Sequence, residues 1–253
     1  MTDITLACFG LVGTLVTDAG IVELAFAEAI ATQGVVSGTS AFARSMAQVY
    51  RGRGQPPADV LRGLFPDNEA KAQAALLTFE RSLAAAADRT VPTPIPGAHE
   101  ALTGLADSGC RICVMSNLPR REQTAILRAL DWRDLVNVAL TADDVPRGCP
   151  SPDMALAAML RVGVGDVREV AVIQSTAAGV ECGRRAGARI VAGVLTGAHP
   201  AQRLRAAGAT HVIESVADLP RVLATADTGA VRERDPATIS IPQQAALEHR
   251  TLG

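Results

Sequence analysis

The segment Phe9-Gly10-Leu11-Val12-Gly13-Thr14-Leu15 has the shape of a phosphate-handling loop without the acid that would do the chemistry. It follows an apolar run, Ile4 to Phe9, that reads as a buried strand. Gly13-Thr14 supplies the turn, and a nucleophilic carboxylate is expected where Gly10 stands. Thr14 and Ser116 carry hydroxyls that can hold an anion or a carbonyl oxygen, helped by backbone N–H groups around Gly13 and Asn117. They serve equally well as plain turn and cap residues. Gln174 and Ser175 are candidates to hydrogen-bond a polar ligand, or simply to tie their loop together. Asn117 is a candidate of the same kind. Cys149 is a candidate nucleophile, but a reactive thiolate needs a base or cation beside it. Arg147 is close in sequence and no histidine is, so neutral pocket lining is the competing role. Asp18, just after the loop, is a candidate general base, or else the cap of a helix starting near Gly20 and Ile21. Tyr50 and Arg53 are candidate ligand contacts from further along; an arginine there suits a carboxylate or phosphate, and an exposed loop arginine is the competing reading.

These residues need a frame. Strand-like apolar runs recur at Ile4–Phe9, Arg111–Met115, Val170–Ile173, Arg189–Leu195 and Thr210–Ile213. Helical patterns separate the later ones, at Gly97–Ser108, Arg120–Leu130, Pro152–Val162, Ala177–Ala186 and Pro200–Ala207. The alternation predicts an α/β fold with a Rossmann-like parallel sheet and helices on both faces. Continuous apolar strands agree, because both sheet faces would be covered. Ile21 to Ala87 breaks the rhythm with four helical patterns, Ala25–Ala31, Phe42–Val49, Ala58–Leu64 and Asn68–Ala86. An α-helical cap domain inserted after the first strand is expected, over the strand ends where open parallel sheets bind ligands. The expected division is a core of residues 1–18 and 90–226, a cap of 19–89, and a C-terminal tail or arm of 227–253. The Ile239-Ser240-Ile241 pattern favours an ordered arm for that tail.

Composition sets limits on function. The chain has 253 residues, 48% hydrophobic and 20% charged, which suits a globular protein with a real core. A net charge of −2, no basic stripe and few aromatics argue against a nucleic-acid partner. No apolar run is long enough to span a bilayer, so no membrane partner is expected. The five cysteines are dispersed, and the start of the chain lacks the basic and apolar regions of a signal peptide. A cytoplasmic location is the expectation. Cys110 and Cys113 have a CxxC spacing at the start of a strand, with no second pair to complete a zinc site, and read as structural thiols. His99, His199, His211 and His249 lack ligand spacing and read as surface or structural. A homodimer is allowed by the sequence.

From Ile4 to Leu223 the ordered motifs resemble the haloacid dehalogenase superfamily, in its phosphonatase-like branch with a helical cap. The first motif resembles FGLVGTLVTDAGIVELAF. The second fits Val114-Met115-Ser116-Asn117, and the third Arg147-Gly148-Cys149-Pro150-Ser151-Pro152-Asp153-Met154. The fourth fits Val172-Ile173-Gln174-Ser175-Thr176-Ala177-Ala178-Gly179, with Arg185-Ala186-Gly187-Ala188 behind it. The resemblance implies an aspartate that attacks phosphorus, carboxylates on Mg²⁺, a lysine and a Ser/Thr that holds a phosphate oxygen. In this chain the nucleophile position is Gly10, and the loop's second position is Val12, a mild departure. The lysine position is Cys149, the metal aspartate falls at Ser175 with Gln174 before it, and the second acid aligns with Gly179. The lysine of the branch's cap falls near Pro57. Acids and cation are absent together, and Mg²⁺ is poorly served by a hydroxyl and an amide. The expectation is a pocket with no metal and no cofactor, holding a small-molecule ligand between core and cap. Its use would be metal-independent chemistry of lyase, isomerase or cyclase type, as in secondary metabolism. A non-catalytic ligand- or protein-binding descendant is the alternative, and a residual phosphatase or phosphonatase the third.

Overall fold

The computed structural model describes residues 4–17 and 19–228. Asp18 and the expected tail arm lie outside the described residues. The strands are β1 (Leu6–Gly10), β2 (Arg111–Ser116), β3 (Val138–Thr141), β4 (Val170–Gln174), β5 (Ile190–Val194) and β6 (His211–Ile213). They form one sheet in the order β3-β2-β1-β4-β5-β6, and every neighbouring pair is parallel. All five residues of β1, β4 and β5 are buried, as a sheet covered on both faces requires.

Side-chain alternation divides the core into two layers. Leu6, Cys8, Cys113, Met115, Val170 and Val172 point to one face, against α7 (Asp153–Val162) and α8 (Ala177–Ala186). Ala7, Phe9, Ile112, Val114, Ala171 and Ile173 point to the other, against α5 (Ala98–Asp107). Cys110 and Cys113 belong to opposite layers, and all five cysteines are free and buried, which fits the structural reading of the CxxC spacing.

Strand β3 is the element that sequence patterning did not reveal. It has four residues, sits at the sheet edge and is only half buried, so it has neither the length nor the apolar run of the others. The remaining helices of the sheet region are α6 (Arg120–Ala129), α9 (Ala201–Ala206) and α10 (Leu219–Thr228).

Four helices follow β1 in sequence: α1 (Ile21–Ala31), α2 (Ser40–Gly52), α3 (Pro57–Leu64) and α4 (Glu69–Ala87). Helix α4 buries Ala72, Ala75, Phe79, Leu83 and Ala86, a stripe with helical spacing. It packs on Val22, Ala25, Phe26, Ala29 and Ile30 of α1, with the Phe26 and Phe79 rings 4.4 Å apart between centroids. Helix α1 starts four residues earlier than its apolar pattern suggested, from Gly20 in the left-handed region with no side-chain cap bond.

Candidate functional site

A cavity of about 100 Å³ opens at the C-terminal ends of β1, β2 and β4. The strand order reverses between β1 and β4, and open α/β sheets bind ligands at such a point. Gly10, Val12, Ser116, Asn117, Cys149, Gln174, Ser175 and Arg53 all line this one cavity. Residues 140 and more apart in sequence are therefore brought together as their motif order suggested. Thr14 lies directly behind Gly10, fully buried, and Tyr50 lies outside the lining and is 44% exposed.

Gln174 determines the shape of the floor. A Cβ at position 10 would lie 2.5 Å from Gln174 Oε1 and 2.8 Å from Thr14 Oγ1. A Cβ at position 179 would lie 2.7 Å from Gln174 Cδ and 2.8 Å from its Cγ. The carboxamide thus uses the space of a side chain at both positions. Neither Gly10 nor Gly179 has a positive φ, so Gln174, not backbone conformation, is what a side chain at either position would meet. Thr14 Oγ1 is buried with no hydrogen-bond partner. Ser116 Oγ accepts from Leu118 N–H at 3.0 Å, and Ser175 Oγ donates to the Val12 carbonyl at 3.2 Å.

The roof comes from the α2–α3 connection, whose Gly52, Arg53, Gly54 and Gln55 face the cavity. It is seated on the sheet region by several independent contacts. Asn117 Nδ2 donates to the Gly54 carbonyl at 2.6 Å, leaving Asn117 Oδ1 without a partner. Gly54 has φ +88°, and a Cβ there would strike Thr176, the N-cap of α8, lying 2.7 Å from its Cβ. Arg203 donates to the Arg51 carbonyl. His199, only 2% exposed, bridges the Tyr50 carbonyl and the Ala177 N–H. Arg53 is bound to Glu23 of α1, so its charge is already matched by a carboxylate. The apolar wall is Val22, Phe26, Phe79, Leu118 and Met154. These residues were not predicted as site residues; for Val22, Phe26 and Phe79 the available signal was the apolar content of the helical patterns that became α1 and α4.

Cys149 is 4% exposed, and its thiol is held above the usual range by contact with the Cys182 thiol and by burial. Arg147, the cation near it in sequence, is turned away in a two-pronged bond to Asp153, at 3.0 and 3.1 Å. The surroundings favour a neutral thiol over the nucleophile that the sequence allowed. Native protein at pH 7.5 should leave Cys149 unalkylated by iodoacetamide over an hour, while urea-unfolded protein labels fully. Peptide mass spectrometry distinguishes the two.

A family model described as haloacid dehalogenase-like hydrolase matches residues 4–187, well over half of the chain. The chain belongs to this family. Among curated relatives, phosphonoacetaldehyde hydrolase of Bordetella pertussis is 37% identical over 158 residues, covering 53% of this chain and 57% of the relative. Phosphonoacetaldehyde hydrolase of Pseudomonas putida is 35% identical over 104 residues, covering 41% and 38%. The chain therefore matches little more than half the length of the Bordetella relative and well under half of the Pseudomonas one. A hydrolase from Pseudomonas syringae superposes with a TM-score of 0.75 at 25% identity, over 87% of this chain and 98% of that one. A phosphonoacetaldehyde hydrolase-like protein from Oleispira antarctica superposes with a TM-score of 0.76 at 22% identity, over 89% and 93%. The haloacid dehalogenase-like fold thus extends across the six-stranded sheet and its helices.

The resemblance to this family implied Mg²⁺, but the donor set at the strand ends does not fit a hard dication. The positions that would bring carboxylates hold glycine, a serine whose hydroxyl donates to Val12, and a carboxamide packed between Gly10 and Gly179. Among the described residues, no three His, Cys, Asp or Glu side chains are grouped to hold a metal.

Proposed function

We propose that this member of the haloacid dehalogenase-like family holds a small, uncharged, hydrogen-bonding molecule between its sheet core and a helical cap formed by α1–α4. It does so without aspartyl-phosphate or Mg²⁺ chemistry. The observation that carries the reading is Gln174, whose carboxamide occupies the space beside Gly10 where an attacking carboxylate would need to be. Asn117, which lines the cavity, has a buried Oδ1 with no protein partner, which supports a polar ligand. Arg53 is already neutralised by Glu23, which argues against a dianion such as phosphate.

The relatives' name sets the decisive assay. Purified protein with phosphonoacetaldehyde and Mg²⁺ should release no phosphate above the protein-free control, and Mg²⁺-dependent release would overturn the proposal. In thermal-shift titrations, glycolaldehyde and acetamide should raise the melting temperature progressively with concentration, and inorganic phosphate should not. A larger shift with phosphate would refute the uncharged ligand.

A metal-independent enzyme of lyase, isomerase or cyclase type is the second reading. The tight seating of the α2–α3 connection favours it, because closure excludes water from a reacting centre. Asp18 is its candidate base and Ser116 its candidate hydroxyl. If Asp18→Asn and Ser116→Ala left turnover of the true substrate unchanged, that assignment would be wrong.

A further inference from the structure

We propose that His199, in its neutral form, is a positioning residue that latches the cap connection over the cavity and releases it on acidification. His199 stands outside the cavity, between β5 and α9. Its Nδ1 accepts the N–H of Ala177 at 2.8 Å, so Nδ1 carries no proton. The other nitrogen, Nε2, then bears the hydrogen and donates it to the Tyr50 carbonyl at 2.9 Å. The Tyr50 ring packs edge-on against the imidazole, with centroids 5.4 Å apart and planes at 79°. One buried ring thus joins the first turn of α8 to the last turn of α2. Three residues on from Tyr50, the same connection supplies Arg53 and Gly54 to the cavity roof.

A second proton on His199 would have to enter at Nδ1, where it would face the Ala177 N–H donor. That end of the latch would break, and the ring would need to turn out toward water. The charged groups facing the ring act in the same direction. Arg203 on α9 and Arg53 in the cap connection both disfavour a third positive charge, and Glu23 is engaged with Arg53. Burial disfavours the charged form most, and only the Tyr50 carbonyl opposes it. His199 therefore titrates below its ordinary range while the cap is closed. Once the cap opens and the ring is solvated, the value returns toward about 6.5. The open form binds more protons, so closure is fully favoured above about pH 6.5 and is lost progressively as pH falls below it.

Hydrogen exchange of residues 50–55 in the full chain, corrected for the intrinsic pH dependence of exchange, tests the latch. Protection of this segment in the parent should fall between pH 7.5 and pH 5, by about tenfold for each unit that closure depresses His199 and by no more than about thirtyfold at pH 5. His199→Gln retains an acceptor and a donor but does not titrate, and should stay protected at both pH values. His199→Ala should be unprotected at both. Equal protection of the parent at pH 7.5 and 5 would overturn the proposal, and so would a parent-like pH dependence in His199→Gln. Should the alanine variant fail to fold, the parent and the glutamine variant decide the matter between them.

Discussion

A Gly10→Asp variant will not gain Mg²⁺-dependent release of phosphate from phosphonoacetaldehyde, and it will be less stable than the parent by about 3 kcal/mol. Two costs combine. The new Cβ would lie 2.5 Å from Gln174 Oε1, so the carboxamide would have to leave its place between Gly10 and Gly179. The carboxylate would also be buried in a lining whose arginine, Arg53, is already bound to Glu23. An unpaired buried carboxyl resists ionisation, so its folded-state pKa rises above the unfolded value. The folded form then holds more protons than the unfolded form, and the stability loss grows as pH rises through that interval. Urea denaturation at pH 5 and pH 8 should show the larger deficit at pH 8. A smaller probe isolates the steric part: Gly10→Ala should cost about 1 kcal/mol in the parent and clearly less in a Gln174→Ala background. Additive single and double variants would mean that Gln174 does not claim the space at position 10.

A Gly54→Ala variant will lift the α2–α3 connection off the sheet core. Alanine at φ +88° costs about 1–2 kcal/mol by itself. Its methyl would also overlap the Thr176 side chain, which is fixed as the N-cap of α8 by accepting the Gly179 N–H at 3.2 Å. Overpacking adds about 1–3 kcal/mol, so the closed form loses roughly 3 kcal/mol in all. The Asn117 bond to the Gly54 carbonyl would be lost with it. Trypsin at pH 7.5 offers a direct measurement, because Arg51 is in the last turn of α2 and Arg53 begins the connection. Cleavage there should speed up by about a hundredfold, with much smaller changes elsewhere. An unchanged rate would show that the connection opens freely already. Loss of the thermal shift with glycolaldehyde in the same variant would tie closure to ligand holding.

Most of the sheet was readable from sequence because buried parallel strands are nearly uniform apolar runs, and helices between them repeat at helical spacing. Strand β3 escaped because Val138–Thr141 is short, at the edge and half buried, so its hydrogen bonds to β2 define it better than its residues do. The four helices after β1 were legible as helices, but not which faces they present. Val22, Phe26 and Phe79 are both core and cavity wall. Tyr50 was expected to meet a ligand with its side chain. Instead its backbone carbonyl is engaged by His199, a residue that patterning placed among the structural histidines. A carbonyl's role leaves no trace in residue type, and a histidine 149 positions away carries no spacing signal.

The sequence by itself determined the fold family and the strand ends that carry Gly10, Ser116 and Gln174. Those follow from residue type and order along the chain. Tertiary structure decided what fills the resulting space and what closes it. Gln174 lies against two glycines from different elements, and Asn117, Thr176, His199 and Arg203 grip the backbone of residues 50–54. Contacts of that kind depend on distance and direction between segments far apart in the chain, where packing, not local propensity, sets the geometry.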